Sequence, residues 1–115
     1  IIHISSLAAK TAKGYIPYVS AKSALEGYVR SMSKELSKKN VILNAVAPGL
    51  VELPGRYFTK LKTENPKKLE SYYDEHLPIR RMLKPKEIAD LICFLCSNNM
   101  NYMAGAIIPL DGGGS

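Results

Sequence analysis

Two short apolar segments flank a long stretch with helical periodicity, and this arrangement restricts the possible folds more than any other feature. The segments are Ile1-Ile2-His3-Ile4 and Val41-Ile42-Leu43-Asn44-Ala45-Val46. Nearly continuous apolar runs of this length are typical of parallel strands buried on both faces. Parallel strands need a crossover connection, usually a helix, so the sequence predicts a strand–helix–strand unit.

The stretch between these segments predicts one long helix, from Val19 to about Lys38. It contains no Pro, and Gly27 is its only Gly. A small-residue loop, which follows Ser5-Ser6 and runs through Gly14 and Pro17, is expected before this helix. Apolar residues recur along the helix at spacings of three and four, which places them on one face: Ala21, Leu25, Tyr28, Met32 and Leu36.

The C-terminal part of the chain continues this alternation of helix and strand. A second helix is expected to begin at Pro85, because Pro is favoured in the first helical turn. Residues 106–110 predict a last strand, and Pro109 places that strand at a sheet edge. The sum is an α/β fold in a chain of 115 residues, which is the size of one domain.

The connection formed by residues 50–83 is polar, basic and aromatic, unlike its surroundings. Short helical turns are expected near residues 57–61 and 67–75. A connection of this length inside a compact domain is usually functional, so we expect a substrate lid. Its aromatic side chains form either a small packing cluster or a contact with substrate: Tyr57, Phe58, Tyr72 and Tyr73.

The chain carries 16 basic and 10 acidic residues, a formal net charge of +6. This excess fits either an anionic partner or a solvated, lysine-rich surface. Nucleic-acid binding is not favoured, because no nucleic-acid motif is present and the aromatic residues do not alternate with basic ones. The apolar runs are too short for a transmembrane helix, so we expect no membrane partner.

Cys93 and Cys96 are the two cysteines, and both lie within the second predicted helix. A tetrahedral metal site needs further Cys or His ligands, and His3 and His76 are isolated in the sequence. We therefore expect no metal site, and free thiols in a reducing cytoplasm.

Tyr18 and Lys22 form the pair that is most informative about chemistry. With this spacing near the start of a helix, they lie on the same face, one turn apart. A phenol alone is a poor base at neutral pH. A neighbouring ammonium stabilises the phenolate and eases proton exchange with a substrate oxygen. A surface pair without a chemical role has the same spacing, so the interpretation depends on context.

Two other segments follow predicted strands: Ser5-Ser6 after the first and Pro48-Gly49 after the second. Open α/β sheets bind ligands at the carboxyl ends of their strands. We therefore expect both segments and the Tyr18–Lys22 pair to converge on one crevice.

These residues resemble the C-terminal half of the short-chain dehydrogenases/reductases, and the 3-oxoacyl-[acyl-carrier-protein] reductases are the most similar group. The resemblance covers essentially all 115 residues. It implies the C-terminal half of a Rossmann-like, doubly wound parallel sheet within a single domain. The matching motifs follow the family's order: Ile4-Ser5-Ser6, Tyr18-x-x-x-Lys22, Asn44-Ala45-Val46-Ala47-Pro48-Gly49, residues 79–89, and Asp111-Gly112-Gly113.

The resemblance implies an NAD(P)-dependent oxidoreductase that interconverts a ketone and a secondary alcohol by hydride transfer. A 3-oxoacyl-carrier-protein reductase is the narrower alternative. In this interpretation Tyr18 is the general acid/base, Lys22 supports Tyr18 and binds the nicotinamide ribose, and Ser6 holds the substrate oxygen. The family's serine is usually the second of such a pair, which favours Ser6 over Ser5. The same interpretation assigns nicotinamide contacts to Pro48, Gly49 and Val51.

The family's glycine-rich phosphate loop, its cofactor-selecting residue and its catalytic asparagine all precede the matched segment. For these residues alone we therefore expect an incomplete NAD or NADP site and no activity. Leu53 stands where the family often has Thr, which removes one hydroxyl contact to the cofactor. The resemblance also implies a cytoplasmic homodimer or homotetramer with a small carbonyl or alcohol substrate. The alternative from another class is an inactive fragment that acts as a binding or oligomerisation module.

Overall fold

The computed structural model describes all 115 residues, and a three-stranded parallel sheet lies at its centre. The strands are β1 (Ile2–Ile4), β2 (Asn44–Pro48) and β3 (Ile107–Leu110). They are ordered β1-β2-β3, and every residue of the central strand β2 is buried. The predicted α/β class with parallel strands is confirmed, and Pro109 lies in an edge strand as expected.

Strand β2 begins three residues later than the apolar run of the sequence predicted. The backbone N–H of Val41 still donates to Leu36, so this residue belongs to the exit from the preceding helix. Asn44 is buried within the strand because both ends of its amide are bonded. Its Nδ2 donates to the Met103 carbonyl at 2.7 Å, and its Oδ1 accepts from the Ala106 N–H at 2.9 Å.

Five α-helices and one 3-10 turn surround the sheet. The helices are α1 (Leu7–Thr11), α2 (Ile16–Ser37), α3 (Tyr57–Glu64), α4 (Pro66–His76) and α5 (Pro85–Leu95), and the 3-10 turn is Asn98–Met100. The start of α5 at Pro85 agrees with the prediction. No helix is long and apolar enough to cross a membrane.

The residues before α2 differ most from the expectation. Helix α2 begins at Ile16 rather than Val19, because Pro17 is accommodated in the first turn, where its missing N–H is not needed. Helix α1 was not predicted at all. Its N-terminus is capped by Ser6, whose Oγ accepts from the N–H of Ala8 at 3.2 Å.

Helix α2 packs on the sheet through a small buried cluster of Val29, Leu43 and Ala45. A buried polar contact joins the end of β1 to the same helix. The Ser5 hydroxyl donates to Glu26 Oε1 at 2.8 Å, and Glu26 Oε2 accepts from Arg30 at 3.0 Å.

Residues 50–83 form a helical hairpin of α3 and α4 rather than short turns in a loop. A parallel bridge between Val51 and Leu83 closes the segment at its base. Tyr73 is buried in the hairpin and is therefore a packing residue, and burial raises the pKa of its hydroxyl. The hairpin has its own buried cluster: Leu61, Leu69, Tyr73, Leu77 and Met82.

Two arginines at the end of the hairpin bind carboxylates. Arg80, which has a left-handed backbone (φ 57°), donates to Asp74 and Glu70 on α4. Arg81 makes a two-pronged contact with Glu87 of α5 at 2.7 and 2.8 Å. Hydrogen bonds from Arg81 and from the Lys84 backbone N–H lower the pKa of Glu87 to about 2.

Candidate active site

The six residues predicted to bind substrate or cofactor line one cleft of about 440 Å³. They come from the loop after β1, the first two turns of α2, the last residue of β2 and the loop that follows β2. Because β1 and β2 are parallel, their carboxyl ends meet at one edge, as the sequence predicted. The six residues are Ser6, Tyr18, Lys22, Pro48, Gly49 and Val51.

Lys22 is held in place by the end of β1. Its Nζ donates to the carbonyl oxygen of Ile4 at 2.7 Å and lies 5.7 Å from the centre of the Tyr18 ring. An ammonium has three N–H donors, and Ile4 accepts from one of them. The strand therefore positions the ammonium beside the phenol while leaving donors available to a ligand.

The structure distinguishes the two adjacent serines. Ser5 is buried, and its hydroxyl donates to Glu26. Ser6 is only partly buried, and its Oγ accepts the capping hydrogen bond from Ala8, which leaves its O–H free to donate. This geometry supports Ser6 rather than Ser5 as the serine that contacts a substrate.

Gly49 lies where β2 meets the turn after β3. A Cβ atom on Gly49 would lie 3.0 Å from the Asp111 Cα atom, closer than nearly all real contacts. Gly112 has φ +60°, and a Cβ there would lie 2.3 Å from Cγ2 of Ile79. The Asp-Gly-Gly motif therefore allows the C-terminal turn to pack closely between the end of β2 and the hairpin.

We call the cleft of about 440 Å³ the first cleft. Helix α5 forms a further wall of it, and sequence analysis did not assign this wall. The apolar stripe of α5 was the available signal for this wall. Positions on the stripe are only half-buried, so they can line a ligand site as well as a core. The additional lining residues are Ile4, Ser5, Leu53, Pro85, Ile88, Ala89 and Ile92.

The first cleft has the chemistry that a nicotinamide and its ribose require. Its α5 residues are apolar, which suits the face of a ring, and its lining also includes hydroxyl and ammonium donors from Ser6, Tyr18 and Lys22. The residues present therefore fit the nicotinamide half of NAD or NADP. No group of three or more His, Cys, Asp or Glu side chains is arranged to hold a metal ion.

A second cleft of about 480 Å³ adjoins the first, and Ser6 and Gly49 line both. Helix α1 and the residues after it form one wall, and the α3–α4 hairpin forms the other. On the hairpin wall, the ring centres of Phe58 and Tyr72 are 4.4 Å apart, and those of Tyr72 and His76 are 5.0 Å apart. We call this row of three rings the aromatic wall.

The lid aromatics take different positions in the structure, and Phe58 and Tyr72 also pack against the hairpin core. Phe58 and Tyr72 face the second cleft, Tyr73 belongs to the hairpin core, and Tyr57 is exposed and lines neither cleft. Sequence analysis gave His76 no role, since only the folded hairpin brings it beside Tyr72 and into the cleft.

Comparison with known proteins gives one family. All residues, 1–115, match the family model described as "Enoyl-(Acyl carrier protein) reductase". The chain is 35% identical over 114 residues to the 3-oxoacyl-[acyl-carrier-protein] reductase FabG of Aquifex aeolicus, covering 98% of this chain and 44% of that protein.

Solved structures similar to this chain are also oxidoreductases by their names. The L-sorbose reductase of Gluconobacter frateurii, in complex with NADPH and L-sorbose, superposes with a TM-score of 0.85 at 33% identity, covering 99% of this chain and 46% of that one. A 7α-hydroxysteroid dehydrogenase in complex with NADH and 7-oxoglycochenodeoxycholic acid gives a TM-score of 0.78 at 34% identity, covering 99% of this chain and 43% of that one. The chain thus spans less than half the length of the relatives it matches.

Proposed function

The chain belongs to the short-chain dehydrogenase/reductase family, and from this premise we propose that its protein interconverts a ketone and a secondary alcohol with NAD or NADP. The observation that carries the proposal is the first cleft, where Ser6, Tyr18 and Lys22 stand together, and its junction with the second cleft at Ser6 and Gly49. Cofactor and substrate would occupy adjoining clefts and meet at that junction. The solved relatives are complexes with NADPH and with NADH, which supports either cofactor.

Three side chains would take part in proton transfer to and from the substrate oxygen. In reduction, the Tyr18 hydroxyl gives its proton to the substrate oxygen, and the Lys22 ammonium stabilises the resulting phenolate. Tyr18 lies in the first turn of α2, where the helix dipole also favours negative charge. The Ser6 O–H donates to the same substrate oxygen and orients the carbonyl. The bound nicotinamide supplies the hydride in reduction and accepts it in oxidation.

The cofactor contacts follow from the same cleft. Lys22 has donors free for the nicotinamide ribose, and the loop containing Pro48, Gly49 and Val51 would lie along the nicotinamide. Gly49 allows the end of β2 to pack against Asp111, which a side chain at this position would contact too closely. The remaining part of the dinucleotide would bind outside these residues.

The narrower proposal is a 3-oxoacyl-carrier-protein reductase, which the FabG relative supports. The family model instead carries the name of an enoyl reductase, which acts on a C=C bond. A 3-oxoacyl thioester and the matching 2-enoyl thioester distinguish the two. We expect turnover of the 3-oxoacyl compound, because Ser6 and Tyr18 place hydroxyl groups for an oxygen. Lys38 and Lys39, at the end of α2, would meet an acidic carrier protein.

Residues 50–83 would serve as the substrate lid, since the aromatic wall of the hairpin covers one side of the second cleft. A cytoplasmic homodimer or homotetramer is also part of the proposal. Tyr28 on α2 and Phe94 on α5 are 47% and 52% exposed, and pairing of either helix would cover such apolar surface. Analytical ultracentrifugation measures the assembly directly, and a monomer at micromolar concentration would contradict it.

The deciding experiment is Tyr18→Phe in the whole protein. The exchange removes only the hydroxyl, so turnover should fall by roughly 100-fold or more, while cofactor affinity and the folded structure are retained. Tyr28→Phe is the matched control, because Tyr28 lies on the same helix, packs edge-on to His3 and lines neither cleft. Turnover of Tyr18→Phe close to that of the unaltered protein would refute the mechanism.

A further inference from the structure

We propose that the second cleft selects carbonyl substrates carrying a negative charge on an apolar or aromatic body, and that Lys13 recognises the charge. This inference rests on the proposed function, because it assumes that the reacting carbonyl lies at Ser6. It names the chemical class of the substrate, which the family leaves open. The solved relatives were crystallised with a sugar and with a steroid acid, two unrelated substrates.

The charge of the cleft is the first argument. Lys13 is the one Lys or Arg among its lining residues, and no Asp or Glu lines it. Lys13 makes no salt bridge, whereas the basic groups of Lys62, Arg80 and Arg81 are all paired with carboxylates. Its charge is therefore uncompensated and available to a ligand.

His76 does not alter this balance. It lines the same cleft, but its Nε2 lies 3.5 Å from a carboxylate oxygen of Glu75. Glu75 therefore places a negative charge beside this ring on α4. Lys13 remains the positive group that faces the cleft without a partner.

The backbone places Lys13 at this position at some cost. Helix α1 ends at Ala12, a non-glycine residue in the left-handed region with φ 55° and ψ 24°, and Gly14 follows with φ +132°. A left-handed non-glycine residue costs about 1–2 kcal/mol, and such strain tends to be found at functional sites. Lys13 and Gly14 follow this turn, and both line the second cleft with Ser6.

The opposite wall supplies the apolar contact. Phe58, Tyr72 and His76 form the aromatic wall, while Leu7 and Ala8 line the α1 side. Helix α1 has five residues and is about 7.5 Å long. A flat apolar body would lie between the walls, with its carbonyl at Ser6 and its anionic group at Lys13.

Three ketones of one shape test the charge preference: 4-acetylbenzoate, 4-acetylbenzamide and 4-acetylbenzylamine. Each has the same ring and methyl ketone, and they carry a negative, a neutral and a positive group. Saturation-transfer NMR measures the binding of each to the whole protein, and kcat/KM for reduction is measured in parallel. We expect the anion to be preferred over the neutral amide by about tenfold, and less at high salt.

Lys13→Gln should abolish this preference by raising KM for the anion without changing kcat, and Lys13→Glu should shift it toward the amine. Lys10→Gln is the matched control, because Lys10 lies on α1, bonds Ser115 and lines neither cleft. Tyr72→Ala should weaken the binding of all three ketones to the same extent. Equal affinity for the three ketones, or equal effects of Lys13→Gln and Lys10→Gln, would overturn the inference and leave the proposed function intact. Turnover that does not depend on Tyr18 would instead overturn the function itself.

Discussion

The sheet region, defined as β1, α2, β2 and β3, and the α3–α4 hairpin are stabilised in different ways. The five core residues of the hairpin all lie between positions 61 and 82, so neighbours in the sequence pack on one another. The sheet region joins segments that are far apart in the chain, and it leaves Ile4 40% exposed. The hairpin is therefore held by local packing, whereas the placement of Tyr18 and Ser6 depends on long-range strand pairing.

The largest expected effect on stability comes from truncating a buried side chain in either core. Met82 in the hairpin and Leu43 in the sheet region are 2% and 1% exposed, and truncation of either to Ala should cost about 2–5 kcal/mol of unfolding free energy. If the hairpin is a separate cooperative unit, Met82→Ala should speed amide hydrogen exchange in α3 and α4 more than in β2. Uniform acceleration across both regions would show that they unfold together.

A smaller effect is expected at Gly105, where the sheet region packs most closely. It has φ +76°, and a Cβ there would lie 2.5 Å from Ser33 Oγ. Gly105→Ala should therefore lower the denaturation midpoint, at a cost of about 2 kcal/mol. Gly27→Ala is the control of opposite sign, since it lies within α2 with open space around it and should stabilise by about 0.5–1 kcal/mol. If Gly105→Ala left the denaturation midpoint unchanged, the turn would have to relax without cost.

The two serines separate stability from chemistry within the sheet region. Ser5→Ala leaves Oε1 of the buried Glu26 carboxylate without its donor, while Oε2 still accepts from Arg30, and should cost about 1–3 kcal/mol. Ser6→Ala removes a helix cap, which costs about 1 kcal/mol, and should lower turnover much more than Ser5→Ala does. Urea denaturation and steady-state kinetics on both variants decide the matter. The reverse order of turnover losses would reassign the role to Ser5.

The smallest effect is expected where the end of the hairpin meets α5. The pKa of Glu87 is lowered to about 2 by Arg81, so the folded state favours the carboxylate. Its contribution to stability is present above the ordinary pKa of about 4.5 and is lost as the pH falls from there toward 2. Glu87→Gln should make the thermal denaturation midpoint less dependent on pH between about 4.5 and 2. Glu64→Gln serves as the control because Glu64 makes no salt bridge, and identical profiles for the two variants would contradict the prediction.

Much of the sheet region could be predicted because its signals are local. The long helix, the parallel strands, the edge position of Pro109 and the start at Pro85 follow from periodicity and proline chemistry. The errors are also local in origin. The start of β2 was predicted too early because Val41 is apolar, yet its N–H still donates to Leu36 at the exit from α2. Asn44 is accommodated in the strand by Met103 and Ala106, which lie 59 and 62 residues further along the chain.

The sequence by itself determined the α/β alternation, the Tyr18–Lys22 spacing and the family, because a helical turn places residues four apart on one face whatever surrounds them. Only the tertiary structure decided that Ser5 is a buried donor while Ser6 lines both clefts, that α5 lines the first cleft, and that His76 and Lys13 share the second. A cleft exists between elements rather than within them. Its walls depend on side-chain packing between distant segments, which no local period encodes.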